Sequence, residues 1–141
     1  MFLPHLLRAQ QNKLTVDPAG QVVIQRGANA PAILKIAILP GYHVNSDKPK
    51  DEFLIPFRLT WTAGPVKPGA VSYPTPEQVQ VGPDKLSVFT GNFDVTTQFS
   101  AAADAATGSA VMTGKLHYQA CNDRMCFRPV TVDVRIPVLI E

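Results

Sequence analysis

VTVDVRIPV, residues 130–138, decides the fold: Val130, Val132, Val134, Ile136 and Val138 fall on one face of an extended chain, and Thr131, Asp133 and Arg135 on the other. A period of two with one apolar side is the pattern of a strand that buries one face and wets the other. The same alternation recurs upstream. FRLTWT (57–62) sets Phe57, Leu59 and Trp61 against Arg58, Thr60 and Thr62. FDVTTQF (93–99) sets Phe93, Val95 and Phe99 against Asp94, Thr96 and Gln98, and ILKIAIL (33–39) sets Leu34, Ile36 and Ile38 against Lys35. Further strands are expected at 13–16, 21–25, 42–45, 70–73, 78–81, 86–89 and 109–119.

Thirteen prolines and nine glycines interrupt these runs at intervals, and no stretch carries a helical apolar stripe. The Ala-rich AAADAATG (101–108) has helix propensity but no face to bury, and reads as a loop or one helical turn. Many short, one-sided strands joined by turn residues predict an all-β fold, an immunoglobulin-like antiparallel β-sandwich of two facing sheets. At 141 residues the chain is the size of one domain. We expect that domain over 13–141, with 1–12 as a flexible N-terminal segment.

The charge balance narrows the function. Thirteen basic and eleven acidic residues leave a formal +2, with the basic residues scattered singly, so no nucleic-acid footprint is present. The longest apolar run, AILKIAIL (32–39), is broken by Lys35 and closed by Pro40, far short of the roughly 20 residues of a membrane span. MFLPHLLRAQ (1–10) lacks the basic n-region and unbroken apolar stretch of a signal peptide. No Ser-His-Asp set, phosphate-cradling glycine loop or paired-carboxylate motif rises above chance.

Both cysteines lie in YQACNDRMCF (118–127). Three readings compete for them. As a staple, a Cys121–Cys126 bridge closes a loop of only about six residues, for which chain entropy gives about 2 kcal/mol, a small return for a domain of this length. As metal ligands, Cys121 and Cys126 with His117 and His43 lack the tight paired spacing of zinc sites. Strand phase also sets His117 with Thr113 and Lys115, opposite Met112, Leu116 and Tyr118, so no metal site is expected. As a redox dithiol, two close sulfurs at a strand end supply an attacking and a resolving thiol. Arg124 and Arg128 would favour the thiolate and Asp123 would oppose it.

YQACNDRMCFRP (118–129) resembles the amino-terminal periplasmic domain of DsbD-type thiol:disulfide interchange proteins: Tyr-Gln-x-Cys, a short polar loop, then Cys-aromatic-x-Pro before an alternating last strand. LKIAILPGYHVNSDKP (34–49), YPTPEQV (73–79) and VFTGNFDV (88–95) extend the resemblance over most of the chain from about residue 13. It implies an immunoglobulin-like fold and protein-disulfide reductase activity, with electrons passed between protein partners and no cofactor beyond the cysteine pair. The implied donor is a thioredoxin-like domain or a membrane-embedded thiol carrier, the acceptors are oxidised periplasmic proteins, the compartment is the periplasm and the pathway context is cytochrome c biogenesis. By motif, Cys126 would form the mixed disulfide and Cys121 would resolve it.

The resemblance also implies a site lined by Tyr42, His43, Asn45, Tyr118, Asp123 and Phe127, shielded by an aromatic cap. The cap would fall in GPDKLSVF (82–89), where Leu86 and Phe89 are the candidates; Leu86, Val88 and Phe89 equally fit a strand packed in the core. The loop between the cysteines looks one residue shorter than in well-known members. The chain ends at Glu141, without the membrane carrier and thioredoxin-like domain of full-length members, and reads as an excised domain or a stand-alone version. The competing function is a non-enzymatic binding sandwich whose local disulfide stiffens a loop.

Overall fold

The computed structural model describes residues 13–141 apart from Pro18, so the expectation for 1–12 lies outside the described residues. Twelve strands follow one another: β1 (Leu14–Val16), β2 (Val22–Ile24), β3 (Asn29–Ile38), β4 (His43–Asn45), β5 (Arg58–Trp61) and β6 (Lys67–Ser72), then β7 (Glu77–Val81), β8 (Asp84–Phe89), β9 (Asn92–Ser100), β10 (Gly108–Tyr118), β11 (Ala120–Cys121) and β12 (Val130–Ile140). The Ala-rich segment is a turn. Its Ala105 N–H donates to Ala102 O at 3.1 Å, and no helix forms among the described residues.

Two four-stranded sheets, β1-β3-β9-β6 and β2-β12-β10-β5, bury their apolar faces in a common core. Leu34, Ile36, Val95 and Phe99 come from the first, and Met112, Leu116, Val134, Ile136 and Val138 from the second. All nine are at least 97 % buried, as the period-two pattern requires. β10 and β12 run antiparallel over their whole length, from Gly108 opposite Ile140 to Tyr118 opposite Val130. Trp61 joins the sheets: its indole lies edge-on to Phe99 at 5.2 Å between centroids, and its Nε1–H donates to Thr97 Oγ1 at 2.9 Å. The molecule is an all-β, immunoglobulin-like sandwich.

It departs from a plain pair of antiparallel sheets in two ways. β2 runs parallel to β12. A third sheet, β11-β4-β8-β7, stands at one end of the sandwich. It is tied in through an aromatic cluster in which Phe57 meets Phe89 at 5.4 Å, Phe93 at 5.7 Å and Tyr73 at 5.9 Å. The short strands at 42–45, 78–81 and 86–89 were legible as strands, but their sheet was not, because alternation gives a strand's faces and not its neighbours. This third sheet carries the cysteines.

Candidate functional site

The chain changes sheets at Gln119. β10 ends at Tyr118 in the sandwich, and β11 begins at Ala120 paired with β4 in the end sheet. The Gln119 amide holds this corner. Its Oε1 accepts from Asn45 Nδ2 at 3.2 Å and from the Ile55 N–H at 3.4 Å, and its Nε2 donates to Phe127 O at 3.3 Å. Asn45, almost wholly buried, donates again to Ile55 O at 3.0 Å.

Beyond Gln119 the segment from Cys121 to Cys126 is a tight hairpin. Asn122 Oδ1 accepts from the N–H groups of Arg124 and Met125, both at 2.8 Å, an Asx turn that replaces the backbone bond at the tip. Asn122 N–H donates to Met125 O at 2.9 Å and Phe127 N–H to Ala120 O at 2.8 Å, which brings the two cysteines face to face. They form a disulfide. The two residues differ in access: Cys121 is 2 % exposed within β11, while Cys126 is exposed on the return arm beside Met125, itself 56 % exposed.

Cys121 pairs with His43 across the β11–β4 ladder, and Ala120 with Val44. Ala120 and Val44 face the core, so Cys121 and His43 share the opposite face. That face opens into a cleft of about 680 Å³ whose walls include Leu39, Tyr42, His43, Val79, Val81 and Asp123. The preceding turn aims Tyr42: Pro40 and Gly41 occupy its centre, Gly41 at φ +86° supplies the left-handed backbone, and Tyr42 N–H closes it onto Leu39 O at 3.1 Å. His43 Nε2 is buried and has no hydrogen-bond partner among the described residues. Desolvation holds its pKa below the ordinary 6.5.

On the far side of the hairpin the Tyr42 and Phe127 rings lie 5.9 Å apart, and the Lys13 ammonium sits over both, 5.5 Å and 4.9 Å from their centroids. Lys13 is itself buried. The cation therefore links the residue before His43 to the residue after Cys126.

A family model described as "Thiol:disulfide interchange protein DsbD, N-terminal" matches residues 10–137 of the chain. The chain belongs to the DsbD N-terminal family. Among solved structures, the DsbD N-terminal domain of Neisseria meningitidis in its reduced form superposes with a TM-score of 0.52 at 18 % identity, over 79 % of each chain. The N-terminal periplasmic domain of ScsB from Proteus mirabilis gives 0.58 at 14 % identity; the match covers 88 % of this chain and 43 % of that one. At such identities these likenesses show the shared fold. A search of curated proteins finds no match to the chain. The family works through a cysteine pair without a cofactor. The described residues gather no group of three or more His, Cys, Asp or Glu able to hold a metal, and His117 lies outside the cleft with Nδ1 2.7 Å from Thr131 Oγ1.

Of the lining residues the DsbD N-terminal resemblance implies, Tyr42, His43 and Asp123 gather at the cleft, and Phe127 stacks behind the hairpin against Tyr42. Asn45 lies on the same face of the end sheet as His43 but is buried, and its amide donates to Gln119 Oε1. Tyr118 is a core residue, 1 % exposed, whose burial raises its pKa above 10.0. The cap candidates separate. Phe89 is 2 % exposed and packs on Phe57 and Phe93, 5.0 Å from the latter, within the core. Leu86 shares the face of Cys121, lies directly opposite Val79 on β7, and borders a second cleft with Lys50–Leu54. From the β7–β8 hairpin, Val79 and Val81 line the cleft instead. Gln119 and Lys13 were not singled out from sequence. Gln119 lies inside the cysteine motif, but nothing marks Lys13 as a buried cation.

Proposed function

We propose that this chain is a thiol:disulfide interchange module of the periplasm, a protein-disulfide reductase that passes electron pairs between protein partners through Cys121 and Cys126. The unequal exposure of the two cysteines carries the reading: residue Cys126 is exposed and residue Cys121 is buried. An incoming partner sulfur reaches Cys126, forms the mixed disulfide there, and is expelled when Cys121 closes the ring. A thioredoxin-like domain or a membrane-embedded thiol carrier is the electron donor, and oxidised periplasmic proteins are the acceptors. Exposed Met125 and Leu39 and the half-buried Tyr42 and Phe127 border the hairpin with an apolar rim suited to a protein surface. A shield for the reduced dithiol on the β7 side of the cleft, formed by Val79 and Val81, is compatible with the buried position of Phe89.

Trapping tests the proposal. Cys121→Ser, which cannot resolve, is expected to accumulate a mixed disulfide with a thioredoxin-like partner, whereas Cys126→Ser, with only the buried sulfur left, is expected to trap little. A bridge that resists reduced thioredoxin-like proteins, with no adduct from either variant, overturns it in favour of a binding sandwich with a structural disulfide.

A further inference from the structure

Cys121 and His43 are direct cross-strand neighbours on one face of the end sheet, and His43 lines the cleft. Side chains so paired stand with Cβ atoms about 4.5–5.5 Å apart. Cys121 is shut off from solvent, and His43 keeps a buried ring nitrogen with no partner among the described residues. A buried polar atom left without a partner is uncommon and calls for a reason. The disulfide supplies one: in the oxidised protein Cys121 has no proton to donate, whereas in the reduced protein its thiol does.

Resting on the exchange function proposed above, we infer that His43 is the general base for Cys121, taking the thiol proton from Cys121 Sγ on Nε2 as Cys121 expels the partner from Cys126. The need is chemical. Only a thiolate attacks a disulfide, and apolar burial disfavours the thiolate at Cys121, where solvent water has little access. In the resolving step Cys121 Sγ attacks Cys126 Sγ and its proton moves to His43 Nε2. The Cys121–Cys126 bond forms, the bond from Cys126 to the partner sulfur breaks, and its electron pair leaves with the partner as a thiolate. The cysteine pair loses two electrons and the partner disulfide gains two. Neutral thiol and imidazole become a disulfide, an imidazolium and a thiolate, and the imidazolium then returns its proton to the departing thiolate. Run backwards, with a dithiol donor attacking Cys126, the imidazolium protonates Cys121 as it leaves.

The surroundings suit a base. Burial keeps the imidazole neutral near pH 7, ready to accept. The ionisable groups that share the cleft are Tyr42 from the preceding turn and Asp123 from the hairpin tip. On β7 the Glu77 carboxylate is occupied by the Thr90 hydroxyl at 3.0 Å, and the Lys13 ammonium is engaged by the two rings behind the hairpin.

Rapid mixing of the fully reduced protein with an aromatic disulfide that releases a coloured thiolate separates the two steps. The first equivalent appears when Cys126 attacks, at a rate proportional to reagent. The second appears when Cys121 closes the ring, at a rate independent of it. His43→Gln is expected to leave the first phase unchanged and to slow the second on the order of 100-fold at neutral pH, abolishing the rise in that phase expected of the parent protein as pH climbs from acid to neutral. His43→Phe, which fills the volume without a base, is expected to do the same and serves if the Gln variant folds poorly. A second phase with the same rate and pH profile in a folded variant overturns the role of His43 alone. Absence of the first phase in the parent protein overturns the exchange function, and this inference with it.

Discussion

The side-chain amides of Asn45 and Gln119 meet at 3.2 Å where the chain leaves the sandwich for the end sheet. Through the other end of its amide, Gln119 also holds the carbonyl of Phe127 at 3.3 Å. One side chain thus fixes both arms of the cysteine hairpin, the strand that enters it and the residue that leaves it. The Gln of Tyr-Gln-x-Cys is a positioning residue.

Gln119→Ala is accordingly expected to cost about 1–3 kcal/mol, since it leaves a buried amide donor of Asn45 and the Ile55 N–H without their acceptor. Denaturant unfolding of the oxidised form measures this. Gln119→Glu keeps the acceptor and loses the donor to Phe127, so it should retain more stability while loosening the return arm. Equal stability of the Ala variant and the parent would remove Gln119 from the architecture of the site.

Lys13→Met keeps most of the aliphatic stem and removes the charge above Tyr42 and Phe127. The expected loss is about 1 kcal/mol for a partly desolvated cation–π pair. Because the rings flank the hairpin, the variant's disulfide is also expected to be reduced faster by a small dithiol than the parent's. Unchanged unfolding and reduction together would show that the contact holds nothing in place.

The strands were readable because alternation is local: each long strand, β3, β9, β10 and β12, buries the set that its own period assigns. The cysteine hairpin was readable for the same reason, being contiguous. What the sequence withheld was non-local. Nothing in HVN or DKLSVF says that these segments share a sheet with Ala120–Cys121, and the pairing of HVN with Ala120–Cys121 is what puts His43 against Cys121. Phe89 shows the limit most directly. Its alternation fits a lid and a core strand equally, and only its neighbours Phe57 and Phe93, distant in sequence, decide.

Burial of Phe89 sets a prediction for the two cap candidates. Phe89→Ala is expected to destabilise the domain by about 3–5 kcal/mol, whereas half-buried Leu86→Ala should cost clearly less. Alkylation of the reduced cysteines is the companion measurement. Any increase in Phe89→Ala should follow the loss of stability, and Leu86→Ala should leave alkylation near the parent rate. Faster alkylation of Phe89→Ala at an unchanged thermal midpoint would make that ring a lid.

Acidification provides a test of the His43 environment that needs no redox partner. Desolvation lowers the folded-state pKa of His43 below its ordinary 6.5, so on descending the pH scale the unfolded chain takes up a proton near 6.5 before the folded one does. The stabilisation is therefore present above 6.5, is lost as pH falls from there through the lowered folded value, and levels off once both states are protonated. Asp133 is held below its ordinary 3.8 by the hydrogen bond from Lys115 and then by that residue's charge, so its own loss begins only at more acid pH. Denaturant midpoints of the oxidised protein, taken from neutral pH to the acid side of 6.5, should fall in the parent and stay flatter in His43→Phe. Parallel curves for the two proteins would mean that the imidazole titrates as freely in the fold as in the unfolded chain, contrary to the buried, unpartnered Nε2 beside Cys121.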